Sequence, residues 1–207
     1  MPNHVLTQLT ITGPATDIKR FVETVDGGEN NRIDFNKLVP MPEEIRHTTC
    51  PTRIVTQEEI DKAVAEFNAK PDDVKAKFGN KPWVPGITQE QHDALIAKYR
   101  VADWYEWANI NWGTKWGAYD TSDWQIADDK ASVFFNTAWC PGQEFFCQAS
   151  ELFPTLVFHT DFADEGGGFI GYETYHHGGV EDEGDFEWES AEAQELKEKL
   201  GFPQDED

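Results

Sequence analysis

Basic residues are what this 207-residue chain has least of: 17 Lys+Arg stand against 39 Asp+Glu, a formal charge of −22. A surface of that sign repels nucleic-acid phosphates and anionic membranes, which are bound through Lys and Arg, so no direct nucleic-acid or membrane binding is expected. Apolar runs are short as well. No segment reaches the roughly 18 apolar residues of a membrane span, and the opening MPNHVLTQLTITG lacks both the basic and the apolar region of a secretory leader, which predicts a soluble protein. Cysteine is scarce. Cys50, Cys140 and Cys147 are an odd number without a Cys-x-x-Cys, outlining neither a disulfide framework nor a structural zinc site and fitting a reducing cytoplasm. The phosphate-binding P-loop pattern and internal repeats are absent too, and nothing calls for a cofactor. Apolar content is not lacking: 39% hydrophobic and 13% aromatic residues suffice for a core and rule out wholesale disorder.

Periodicity divides the chain. Residues 4–12 alternate, Val5, Leu9 and Ile11 against Gln8, Thr10 and Thr12, as a half-buried strand does. Gly13-Pro14 opens a helix carrying Ile18, Phe21, Val22 and Val25 on one face, and Ile33–Val39 reads as a second strand ended by Pro40-Met41-Pro42. Residues 1–42 thus form a first βαβ half. From 43 to 122 the pattern becomes a helical, tryptophan-rich insertion, with capping boxes at Thr56…Glu59 and Thr88…Gln91. Residues 123–180 return to strands: Trp124–Ala127 and 132–138 as a hairpin, a helix after Pro141 with Phe145, Ala149 and Leu152 on one face, then strands at 155–162 and 168–176. The fold expected is α+β, a ferredoxin-like (split βαβ) antiparallel sheet with helices on one face. The tail, 181–207, carries 12 acidic residues and two lysines; EDEGDFEWE and PQDED read as solvated and mobile ends around a helix opened by Ser190, Ala191–Leu200.

The words NHVLTQLTITGP (3–14), IDFNKLVPMPEEI (33–45), NWGTKWGAYD (111–120), FNTAWCPG (135–142) and LFPTLVFHTDFADEGGGFIGYETY (152–175) resemble the Api-like proteins of bacteriophages and plasmids. The resemblance implies a ferredoxin-like domain and an origin on a mobile element. It brings no catalytic residue with it.

Candidate chemistry is therefore weighed residue by residue. Gly166, Gly168 and Gly171 match the dinucleotide fingerprint in spacing, but acids precede them and a strand pattern follows, so a hairpin loop is expected. His159, Asp161, Glu173 and His176 could serve a metal-dependent or small-molecule enzyme in a pocket between insertion and sheet, although no metal-binding motif spaces them. Cys140, ahead of a helix start, is the one tempting nucleophile and reads better as a packing residue. Trp104, Trp107, Trp112 and Trp116 seat the insertion on the sheet or anchor a partner.

The acidity rises furthest above background. Ordered carboxylates can occupy a basic groove in place of DNA, so the leading expectation is a non-enzymatic phage- or plasmid-encoded protein in the bacterial host cytoplasm. Its partner would be a host protein with a basic nucleic-acid-binding surface, and its concrete form a counter-defence inhibitor of the DNA-mimic type, such as an anti-CRISPR or nuclease inhibitor. Asp164, Glu165, Glu181, Asp182, Glu183, Asp185 and Glu187 are the expected contacts, with the four tryptophans as anchors. A virion or assembly component is a further alternative.

Overall fold

The alternation of residues 4–12 becomes the central strand of a sheet. The computed structural model describes residues 3–202, in which β1 (His4–Thr12) buries Val5, Leu9 and Ile11 on one face. It pairs antiparallel with β3 (Lys130–Ala138) on one side and β4 (Val157–Asp164) on the other. With β2 (Gln125–Ile126), β5 (Ile170–His176) and β6 (Gly179–Asp185), the order is β2-β3-β1-β4-β5-β6, antiparallel throughout. β3 and β4 run parallel with β1 between them and are joined through α8 (Gln143–Leu152), which is a split βαβ crossing. The other crossing runs from β1 through α1 (Ala15–Val25) to β2, with β3 between. This is the expected α+β, ferredoxin-like plan, lengthened beyond β4 by β5 and β6.

The second strand of the first crossing is not the expected Ile33–Val39. Asp34 accepts a hydrogen bond from the Asn36 amide at 3.0 Å and caps a one-turn helix, α2 (Phe35–Leu38). That turn drops Phe35 into the core, stacked on Phe145 with ring centroids 3.8 Å apart, and Val39 accepts the Trp112 indole N–H at 2.9 Å. The apolar spacing that resembled a strand is the burial of a capped turn.

One face of the sheet meets α1 and α8 through Ile18, Phe21, Val25, Phe145, Phe146 and Ala149. Leu152, expected on the buried face of α8, points outward and is 56% exposed. The other face is covered by α9 (Ala191–Leu200), whose Ala193, Leu196 and Leu200 pack with Ala163 and Ile170, flanked by Leu6, Phe134, Phe186 and Trp188. Ser190 caps α9 by accepting the Ala193 amide, as its position in the sequence predicts.

Of the acidic tail, Glu181 to Asp185 is a strand rather than a solvated end. β5 and β6 are joined by His177-Gly178, both at positive φ (51° and 87°), the pair a two-residue type I′ hairpin requires. The PQDED terminus lies outside the described residues.

The chain divides into two compact units, Met1–Pro40 with Ala108–Asp207, and Met41–Trp107. The second is helical: α3 (Glu43–Arg46), α4 (Gln57–Asn68), α5 (Asp72–Lys77), α6 (Gln89–Tyr99) and the first turn of α7 (Trp104–Trp112). Both capping boxes form, Thr56 with Glu59 and Thr88 with Gln91. The segments that lead into α4 and α6 meet at Arg53–Val55 and Ile87, where Ile87 N–H donates to the Arg53 carbonyl at 2.9 Å. A Cβ on Gly86 would sit 2.1 Å from that carbonyl, so the meeting point admits only glycine.

Candidate functional site

Charge is divided unequally between the two units. Met41–Trp107 holds 9 Lys+Arg against 12 Asp+Glu, a net −3, whereas the sheet unit holds 8 against 27, a net −19. Within the sheet unit, residues 131–196 contain no Lys or Arg at all. That stretch runs from β3 to α9 and supplies the edge of the sheet.

β6 is that edge, pairing only with β5. Glu181, Asp182, Glu183 and Asp185 are all exposed on it. Beyond the strand the alternation persists: Glu187 and Glu189 point out, while Phe186 and Trp188 pack beneath α9. Glu192, Glu195 and Glu198 continue the exposed carboxylates along the helix. The two lysines that follow do not offset them at the surface. Lys197 is buried, donating to the Trp188 carbonyl at 2.7 Å with its Nζ 4.1 Å from that ring's centroid, and Lys199 is bound to the buried carboxylate of Asp161. Every exposed ionisable side chain from 181 to 198 is therefore a carboxylate.

The other expected contacts separate from this edge. Asp164 is buried, accepting the Gly168 amide at 3.0 Å and the Asn3 side-chain amide at 3.3 Å, so its carboxylate closes the β4–β5 turn. Glu165 accepts the His4 amide at 2.8 Å. Gly166 and Gly168 lie in that hairpin turn, with Gly167 between them at φ +74°, and Gly171 is already in β5, so the stretch opens no helix. Among the tryptophans, Trp107 and Trp112 are each 6% exposed and serve the core, and Trp104 is half-buried against Tyr105. Trp116 does reach the surface, where Lys115 lies over it and over Trp139 at 4.5 and 4.4 Å. Burial raises the Cys140 thiol above its ordinary range, which opposes the thiolate a nucleophile needs.

Of the four groups considered for an enzyme, strand parity unites two. His159 and Asp161 share the face under α9, 3.3 Å apart, while Glu173 faces the opposite side, where Tyr175 donates to it. His176 is remote, against the Pro154 carbonyl at 3.2 Å and Glu181 at 3.7 Å. Among the described residues no three His, Cys, Asp or Glu are grouped to hold a metal ion. Burial would raise the Asp161 carboxyl, but His159 and Lys199 outweigh it and hold the group below the ordinary carboxylate range. Burial raises Glu173 instead, helped by Glu183 and Asp185 and opposed by Tyr175.

The pair lines an open cleft of about 410 Å³. Its floor is a row of rings from three neighbouring strands or their ends: His159, then Tyr172 at 5.6 Å, then Phe186 at 6.0 Å from Tyr172. Its wall is α9, presenting Leu196, Lys199, Glu192 and Glu195. His159 is locked by Thr174 Oγ at 2.9 Å on one ring nitrogen and Asp161 on the other. Hydroxyl, imidazole and carboxylate stand in the order of a hydrolytic relay, but the carboxylate is also held by Lys199. The arrangement is built to hold His159 still. Tyr172, Thr174, Phe186, Glu192, Glu195 and Lys199 escaped the sequence reading. Parity along 170–176 could have found Tyr172 and Thr174; the others depend on how α9 docks.

No helix among the described residues is long and apolar enough to cross a membrane. Residues 115–203 match the family described as the ferredoxin-like domain in Api92-like protein, a stretch that takes in β2 through α9, and with them the acidic edge and the cleft. No curated protein matches the chain. The crystal structure of the protein api92 from Yersinia pseudotuberculosis is similar with a TM-score of 0.51 at 14% identity, over 90% of this chain and 98% of that one. The chain is thus similar in fold to api92 over most of its length, and over residues 115–203 it is similar in sequence to the ferredoxin-like domain of Api92-like proteins.

Proposed function

We propose that the protein is a binding protein whose acidic edge occupies a basic, nucleic-acid-binding surface of another protein and excludes nucleic acid from it. One observation carries this reading: from Glu181 to Glu198 every outward-facing ionisable side chain is a carboxylate, and the charge of the exposed lysine that follows, Lys199, is taken up by Asp161. A strand rises about 3.3 Å per residue. Side chains alternate between the two faces of the strand, so Glu183 and Asp185 stand about 6.6 Å apart on one face with Asp182 on the other, and the edge carries four carboxylates within about 13 Å of strand. The backbone ladder holds them in register, so little ordering entropy opposes their use in binding.

The narrower form, a phage- or plasmid-encoded inhibitor of a host defence nuclease acting in the bacterial cytoplasm, follows from the same edge together with the resemblance to Api-like proteins. The test is capture from a bacterial lysate at low and high salt, with the protein and its E181Q/D182N/E183Q/D185N/E187Q variant as baits. Expected is a nucleic-acid-binding protein that duplex DNA displaces and the variant fails to retain. Equal capture by the variant, or capture indifferent to DNA, would overturn the reading.

A further inference from the structure

The cleft under α9 adds to the acidic edge something that charge alone does not require, an aromatic floor. His159, Tyr172 and Phe186 run across β4, β5 and the end of β6. Tyr172 lies flat over Gly184, where even a Cβ would come within 2.6 Å of the ring, so glycine opposite it lets the ring cover the strand. Carboxylates surround this floor. Glu192 and Glu195, three residues apart on one face of α9, form one rim, and Asp182, on the same face of the β5–β6 ladder as Tyr172, stands on the other. The cation already present, Lys199, is bound to buried Asp161 and leaves the rim carboxylates unneutralised.

Such a site selects a particular ligand. Nucleic acid and other anions meet three carboxylates, and a metal ion finds no three grouped ligands among the described residues. A cation gains from both the ring faces and the rim, and a planar one gains most, because a guanidinium stacks on an aromatic ring while its edge donates two parallel hydrogen bonds to a carboxylate; an ammonium does neither as well. We propose that this cleft is an arginine pocket, which receives an arginine side chain of the basic partner, stacked on Tyr172 and held by Glu192 and Glu195. The proposal rests on the reading of the acidic edge as a partner surface and says which side chain anchors it.

Binding of an oligo-arginine peptide and of the oligo-lysine peptide of equal length to the whole protein, followed by calorimetry and by the ring resonances of His159 and Tyr172, tests it. The acidic edge alone predicts equal, salt-sensitive binding of both. The pocket predicts roughly tenfold tighter binding of the arginine peptide, with both rings shifting. Tyr172→Ala should remove that preference while leaving lysine-peptide binding near its original strength, the surface pair E192Q/E195Q should remove it while weakening both peptides because two carboxylates of the acidic edge are lost, and Tyr172→Phe, which keeps the ring, should retain it. Equal affinities for the two peptides, or a preference that survives in both the alanine and the glutamine variants, would overturn the pocket and leave the acidic edge standing. Failure of both peptides to bind would overturn the two readings together.

Discussion

The helical unit and the acidic edge of the sheet unit use acidic residues in opposite ways. In Met41–Trp107 carboxylates are consumed locally: Glu43 meets His47 at 2.7 Å and Arg46 at 3.6 Å, Glu44 meets Lys98 at 2.9 Å, Asp72 meets Lys75 at 2.8 Å, and Glu59 closes a capping box. Those partners hold Glu43, Glu44, Glu59 and Asp72 below the ordinary carboxylate range. Along the exposed edge from Glu181 to Glu198, only Glu181 meets a basic group among the described residues, His176 at 3.7 Å. Paired acids complete a structure, whereas unpaired ones repel each other until a cation arrives. On the proposed function, the difference makes the sheet unit the one that would meet a partner.

The contrast breaks most completely if α9 is unseated. Leu196→Ala removes a buried side chain between α9 and the sheet and should destabilise the sheet unit by about 2–5 kcal/mol in urea unfolding, abolishing the cleft with it. Asp161→Asn should cost less, about 1–2 kcal/mol, because Lys199 is half-exposed and water takes up part of its charge. Thr56→Ala, on the helical side, removes a cap and should cost about 1 kcal/mol without changing any partner affinity. The smallest effect on stability belongs to the five-fold edge neutralisation, within about 0.5 kcal/mol and towards greater stability, yet it should flatten the salt dependence of binding.

Acidity sharpens the same comparison inside the sheet unit. Asp161 lies below its unfolded value, so its contribution is present above the ordinary aspartate range and is lost as pH falls through the folded value. Glu173 is raised, so its contribution is present below the ordinary glutamate range and is lost as pH rises through the folded value. Thermal melts across the acid range should show D161N losing the first slope and E173Q the second.

Much of the fold was legible because it is written in local periods. β1, α1, the capping boxes of α4 and α6, β3, α8, β4, β5 and the Ser190 cap of α9 follow from alternation, 3.6-residue spacing and capping side chains. Ile33–Val39 misled because Ile33 and Phe35 obey a period of two while Asp34 between them caps a turn. β6 was missed for a different reason. Apart from Val180 it has no apolar side chain to alternate, and what makes it a strand is pairing with β5 through a hairpin whose signal, His-Gly, is weak.

The site divides along the same line. The sequence by itself determined the total charge, the solvent-facing carboxylates of 181–187, and the shared face of His159 and Asp161, since composition and parity are local properties. The tertiary structure decided that Asp164 turns inward to close a hairpin, that Lys197 is buried and Lys199 is tied to Asp161, and that rings from β4, β5 and the end of β6 form one floor beneath α9. Each of those depends on main-chain hydrogen bonds and apolar packing between residues distant in the chain, and neither leaves a period in the sequence.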